Sequence, residues 1–289
     1  SRPPSGVAPA DGFGDAHGFL RAFAFHRHAP GHLHAVIVDG LRLQAVDCGE
    51  GRPVIFQHGL GGNEAQIAEV FPAGYRRLTL ECRSHGGSDT GAKLSIAAFA
   101  DDVLAFADQQ GVKTFVVGGI SMGAAIALRI AVTAPQRVTA LILSRPAWMW
   151  QNAPANMQVF ADVANCLERD DRDGFEALAV ARRMASEAPD NLATMRGFFD
   201  RPDKARLPPL FRAVAADGPG VSKAEVTAIR VPVLVIGTAL DMVHPLSHAR
   251  TFANAISHAQ FAEITPKTID RQRHADEARA AIDAFLRNF

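Results

Sequence analysis

Ser121 lies in Gly119-Ile120-Ser121-Met122-Gly123, a G-x-S-x-G spacing with an apolar run before it and an Ala-rich run after it. That context predicts a short buried strand, a sharp turn and a helix, with the serine hydroxyl pushed out past the sheet edge. Strand and helix backbones come close at such a turn, and glycine at 119 and 123 removes the Cβ atoms that would collide. The turn also sets Ser121 at a helix N-terminus, where free N–H groups favour developing negative charge. The chemistry open to a serine so placed is nucleophilic attack, provided a neutral imidazole accepts its proton. A glycine turn without chemistry is the competing reading, and the strand-and-helix context disfavours it.

Other residues could also do chemistry. The loop His58-Gly59-Leu60-Gly61-Gly62-Asn63 is too glycine-rich to be packing filler. Arg145 directly follows an expected parallel strand, at the carboxyl edge where ligands of open α/β sheets bind. Arg145 is therefore expected to hold a carboxylate or other polar group of a substrate, with Trp148, Trp150 and Met149 or Met157 lining the apolar side. The alternative is a structural ion pair with core aromatics. His26, His28, His32 and His34 make two H-x-H pairs, but no nearby Cys or carboxylate completes a ligand set, so no metal is expected. Cys48, Cys82 and Cys166 are scattered and read as reduced, partly buried thiols. Cys82 is discounted as a nucleophile because no strained turn presents it.

These residues sit in a chain of 289, enough for one large α/β domain or two small ones. The formal net charge of zero gives no reason to expect nucleic acid or an anionic membrane as a partner. No apolar run approaches the ~20 residues that span a bilayer, and no signal-peptide pattern is seen. The expectation is a cytoplasmic protein acting on a small molecule, its oligomeric state open. The chain starts at Ser1 rather than Met, which leaves room for a segment upstream.

The elements that must position Ser121 follow from periodicity. Residues 1–33, rich in Pro, Gly, Ala and His, read as an N-terminal extension. Ala35 to Asp47 reads as two strands joined at Asp39-Gly40, a strong hairpin signal. Short apolar strands follow at Pro53–Gln57, Arg77–Glu81, Thr114–Gly118, Val138–Ser144, Val231–Ile236 and Gln260–Ile264. Helical patterns separate several of them, at 95–110, after Ser121, at 245–256 and at 275–289. From 147 to 228 strands vanish and helical segments broken by proline take over, which reads as an inserted helical cap. The remaining 34–146 and 229–289 form the core. Apolar strands alternating with helices predict an α/β fold, a mostly parallel central sheet flanked by helices, with the opening hairpin as an antiparallel edge.

On these features the chain resembles the α/β-hydrolase fold family. The glycine-rich loop after the third strand, Arg83-Ser84-His85-Gly86-Gly87-Ser88 after the fourth, the Ser121 elbow, and Gly237-Thr238-Ala239-Leu240-Asp241 after a late strand fall in that family's order. The resemblance implies a triad of Ser121, Asp241 and His274. It places the oxyanion donors at the backbone N–H groups of Leu60 and Met122. His274 is the only histidine expected between the last strand and the last helix. It stands farther from the strand than the family's usual spacing, so His244 is a competitor for the base and Asp270 a fallback acid. Glu81-Cys82 replaces the family's usual residues there and is taken as structural.

The implied activity is hydrolysis of a small ester or lactone through an acyl-enzyme, with no metal or organic cofactor. The same triad serves carbon–carbon bond hydrolases, thioesterases and acyltransferases. A non-enzymatic alternative, a ligand receptor with a slow or single-turnover triad, is also found on this fold.

Overall fold

A computed structural model describes residues 32–289. The hairpin forms where it is expected, as β1 (His32–Val38) and β2 (Leu41–Cys48). Asp39 and Gly40 both take positive φ, 50° and 75°, as a two-residue turn matched to strand twist requires. The chain continues through β3 (Pro53–Gln57), α1 (Glu64–Val70), β4 (Arg76–Leu80), α2 (Ile96–Gln109), β5 (Phe115–Ile120), α3 (Met122–Thr133) and β6 (Val138–Ser144). Six helices follow: α4 (Gln158–Glu168), α5 (Arg172–Glu176), α6 (Ala179–Glu187), α7 (Pro189–Phe199), α8 (Leu207–Ala215) and α9 (Lys223–Thr227). The chain then returns to the sheet with β7 (Val233–Thr238), α10 (Leu246–Ala255), β8 (Gln260–Ile264) and α11 (Arg271–Leu286).

The strands form one eight-stranded sheet in the order β1-β2-β4-β3-β5-β6-β7-β8. β3 to β8 run parallel, and the β1–β2 and β2–β4 pairings are antiparallel, so the expected mostly parallel sheet with an antiparallel edge is observed. Alternate residues face opposite layers. Val117, Leu141, Leu143 and Val235 join the core packed by α2 and α3, while Val116, Ile142, Leu234 and Ile236 join the one packed by α11. Central strands buried on both faces explain their unbroken apolar runs.

Two elements differ from expectation. α1 follows the glycine-rich loop because Asn63 caps it, accepting the Ala65 N–H at 3.1 Å. α11 starts at Arg271 rather than Ala275, because Asp270 accepts the Arg273 N–H at 2.9 Å and so becomes the N-cap. His274 therefore lies in the first helical turn, not in the loop before it.

The segment between β6 and β7 carries helices and no strand. α4 and α8 pack through Phe160 and Phe211, with ring centroids 5.2 Å apart. This layer reaches the core loops at the carboxyl edge of the sheet. Arg206 donates to Ser88 O at 2.6 Å, Arg201 donates to Gly61 O, and Asn191 Oδ1 accepts the Met242 N–H at 2.7 Å.

The Arg83–Ser88 segment is structural. Arg83 grips Asp102 of α2 through Nε–Oδ2 at 2.7 Å and Nη2–Oδ1 at 2.5 Å, with both side chains under 5% exposed. Ser88 Oγ donates to Glu81 O at 2.6 Å and accepts the Gln44 N–H at 2.8 Å. Removing one member of a buried pair strands the other charge. Arg83→Met is expected to cost about 3–5 kcal/mol of stability, read as a lowered urea midpoint; an unchanged midpoint would show that the pair is dispensable.

Candidate active site

Ser121 occupies φ 57°, ψ −111°, a conformation that L side chains rarely adopt. The turn is held there by close packing. A Cβ on Gly119 would sit 2.4 Å from the Gly123 carbonyl carbon, and a Cβ on Gly123 would sit 2.1 Å from Gln57 O. Ser121 donates its N–H to Ser144 O at 3.0 Å, which ties the elbow to the end of β6.

The glycine-rich loop closes over this turn. Gly59 comes so near that a Cβ on it would lie 3.3 Å from Ser121 Cβ. Gln66 Oε1 accepts the Gly59 N–H at 2.6 Å, and Gly59 O accepts the Gly62 N–H at 2.9 Å. His58 anchors the loop from below. Its Nδ1–H donates to Gly59 O at 2.9 Å, while Nε2 accepts the Cys82 N–H at 3.1 Å. Burial lowers its pKa to about 4, so the ring is a neutral brace. Among the described residues, the N–H groups of Leu60 and Met122 have no hydrogen-bond partner.

Asp241, Arg145 and His244 form one cluster at the carboxyl ends of β6 and β7. Asp241 Oδ2 accepts from Arg145 Nη2 at 2.7 Å and Nε at 3.2 Å, and Oδ1 accepts the His244 backbone N–H at 2.9 Å. His244 Nδ1 lies 2.9 Å from Oδ2, close enough to donate its proton there. Burial alone would raise the Asp241 pKa, but His244 and Arg145 outweigh it and hold the carboxyl well below its usual range. Burial is also the largest influence on His244 and lowers its pKa despite Asp241. Arg145 thus answers the carboxylate charge, and the imidazole stays neutral.

His274 has different partners. It is 2% exposed, and its Nδ1–H donates to Thr265 O at 2.8 Å. Burial, then Arg145, lowers its pKa to about 4. The expected Asp241–His274 hydrogen bond is not formed; the aspartate holds His244 and the histidine holds a carbonyl. His274 instead lines a cavity of about 10 Å³ with Ile120, Ser144, Arg145, Lys267 and Gln66, room for about one water. A second cavity of about 10 Å³ lies beyond Arg145 and Lys267, bounded by Asp190, Thr238, Asp241 and Thr268.

A family model of the alpha/beta hydrolase fold matches residues 52–267. The chain belongs to that family. The Bacillus subtilis (strain 168) AB hydrolase superfamily protein YisY is 27% identical over 74% of this chain and 83% of its own length. A crystal structure of the enol-lactonase from Burkholderia xenovorans LB400 superposes with a TM-score of 0.67 at 22% identity, covering 88% of this chain and 100% of that one. Est816, an N-acyl homoserine lactone degrading enzyme, gives 0.64 at 23% identity over 89% and 100%. At those identities the structural likeness speaks to the fold.

Two expected substrate contacts of this hydrolase are engaged elsewhere. Arg145 is spent on Asp241. Trp148 is 1% exposed and donates its Nε1–H to Asp217 O at 2.9 Å, so it belongs to the packed base of the helical segment. Cys82 is buried, which pushes its thiol pKa far up. Among the described residues no cluster of three or more His, Cys, Asp or Glu could hold a metal, and no helix is long and apolar enough to cross a membrane. His26 and His28 lie outside the described residues.

Sequence reasoning missed Gln66, which holds the Gly59 N–H. Gln66 had a signal in Asn63-Glu64-Ala65-Gln66, the N-x-x-Q spacing of a helix start.

Proposed function

We propose that this hydrolase cleaves a small ester or lactone through an acyl-enzyme on Ser121. The observation that carries the reading is a strained Ser121 beside two unpartnered backbone donors, the N–H groups of Leu60 and Met122. Strain and unpaired buried donors both cost stability, and an oxyanion formed on Ser121 is the group that would use both. Ser121 Oγ attacks the carbonyl carbon, the two N–H groups take the developing negative charge, the alcohol leaves, and water cleaves the acyl-enzyme. Each donor contributes about 3 kcal/mol to such a transition state.

The proposed triad is Ser121, Asp241 and His274, with His244 as the competing base. Asp241 and Arg145 neutralise one another and join the ends of β6 and β7, and the proton acceptor is drawn from the two imidazoles at that edge, His274 and the Asp241-bonded His244. The helical segment from α4 to α9 serves as a cap, and its contacts with Gly61 and Ser88 favour an enclosed site for a small substrate. The lactone-cleaving enzymes that share the fold support the substrate class.

A fluorophosphonate probe tests the nucleophile. Peptide mass spectrometry is expected to find one adduct, on Ser121. An adduct at another residue would reassign the nucleophile, and folded protein without any adduct would turn the reading toward a ligand receptor.

A further inference from the structure

Leu60, whose N–H is the proposed oxyanion donor, belongs to a tight turn with its peptide groups linked in series. Gly62 donates its N–H to Gly59 O at 2.9 Å, closing the turn Gly59-Leu60-Gly61-Gly62, and Gly61 at its third position takes φ 71°, as a type II turn requires. Gly59 O also accepts the His58 Nδ1–H at 2.9 Å. One further bond reaches the turn from the helical segment. Arg201, 140 residues away in sequence and between α7 and α8, donates its Nη1–H to Gly61 O.

In a trans peptide the C=O of one residue and the N–H of the next share a plane and point opposite ways. Arg201 therefore holds the Gly61–Gly62 peptide, the N–H of that peptide holds Gly59 O, and the Gly59–Leu60 peptide presents its own N–H on the far side. That last N–H has no partner among the described residues. The turn lies against the elbow, since a Cβ on Gly59 would meet Ser121 Cβ at 3.3 Å. We infer that Arg201 is a positioning residue for the reaction: through two peptide groups it aims the Leu60 N–H at the oxyanion, and so makes that donor depend on the seating of the helical segment.

Arg201 has this role only where Ser121 is the nucleophile, so it rests on the serine-hydrolase reading. As Ser121 Oγ adds to the carbonyl carbon, the C=O electron pair moves onto oxygen, and each peptide of the series is polarised toward that charge. Hydrogen bonds in series strengthen one another, and an ionised donor at the head of the series is stronger than a neutral one. Arginine keeps its charge at every working pH.

The surroundings hold Arg201 to this task. Asp203 accepts from Nε at 2.8 Å and from Nη2 at 2.7 Å, which leaves Nη1 for Gly61 O. Phe198 of α7 closes over the same glycine: a Cβ on Gly61 would lie 2.7 Å from Phe198 Cε1. From the core side, Gln66 Oε1 holds the Gly59 N–H at 2.6 Å. The turn is thus gripped by the core at one end and by the helical segment at the other. Arg206 gives the contrast. Its bond to Ser88 O at 2.6 Å also joins the helical segment to the core, but it touches no peptide of the turn.

The test compares wild type, Arg201→Met, Arg201→Lys and Arg206→Met in the full chain. The readouts are kcat and KM for 4-nitrophenyl acetate, inhibition by trifluoroacetone, whose serine adduct carries the oxyanion, and thermal melts. Removing a whole oxyanion donor costs about 100- to 1,000-fold in kcat, so misaiming one through Arg201→Met is expected to cost about tenfold. Trifluoroacetone affinity is expected to fall by the same factor, with KM nearly unchanged. Arg201→Lys is expected to restore most of both, since an ammonium also donates to Gly61 O, and Arg206→Met to keep wild-type values. Losses in Arg201→Met confined to KM or to melting temperature overturn the assignment. Equal losses of kcat in Arg206→Met overturn it in favour of docking of the helical segment alone, and a lysine variant no better than methionine overturns it as well. These outcomes leave Ser121 as the nucleophile, whereas a folded wild type that neither reacts with a fluorophosphonate nor turns over the ester overturns the serine-hydrolase reading and the role of Arg201 together. Should Arg201→Met fail to fold, Arg201→Gln takes its place with the same expected losses.

Discussion

Ser121→Ala is expected to lower kcat/KM for a short-chain activated ester by about 10,000-fold or more, the scale seen when a serine nucleophile is removed. The fold is expected to survive intact. The strain at φ 57° is imposed by the contacts of Gly119 and Gly123 with their neighbours and does not depend on the hydroxyl. Ser121→Gly is expected to stabilise the protein by about 1 kcal/mol, since glycine adopts that conformation freely. Together the two variants separate function from stability. Steady-state kinetics and thermal melts read them. Activity within tenfold of wild type in Ser121→Ala would place the chemistry elsewhere, and a glycine variant less stable than wild type would mean that the elbow is not strained.

Arg145→Met is expected to lose about 3–5 kcal/mol of stability at neutral pH. The Arg145 and Asp241 side chains are 9% and 5% exposed, so removing the guanidinium leaves a carboxylate facing a neutral His244 ring and two backbone N–H groups. The sign with pH follows from the Asp241 shift. Its folded pKa lies below the unfolded value of about 3.9. Its contribution is therefore fully present above that unfolded value and is lost as pH falls through the folded one. In Arg145→Met the folded pKa rises, so the acid-unfolding midpoint moves to higher pH, and the deficit against wild type shrinks once Asp241 is protonated. Urea titrations at pH 7 and pH 4 check both halves. Equal midpoints at pH 7 would mean that the pair carries no stability.

The parts of this protein that were legible in the sequence are the ones set by short spacings. The elbow is readable because Gly119, Ser121 and Gly123 meet within one turn, and the collisions that demand glycine involve near neighbours and the adjacent strand. The sheet is readable because strands buried on both faces must be apolar throughout, and the hairpin because Asp39-Gly40 alone permits the two positive φ angles. The start of α11 was displaced because Asp270 could be either a loop acid or a cap, and only its bond to the Arg273 N–H decides between them.

What chain order could not determine was who meets whom at the carboxyl edge. Family order joined Asp241 to His274, which are 33 residues apart in sequence. The fold sets Asp241 against Arg145 and His244, because β6 and β7 are neighbours in the sheet and the Arg145 N–H donates to Ile236 O at 2.8 Å. Arg145 was visible as a cation at a ligand-binding edge, yet its charge was assigned to a substrate and is consumed by the protein. The residue types and the elbow are written locally in the sequence; the pairing of charges is a property of the packed tertiary structure, because the partners come from distant parts of the chain.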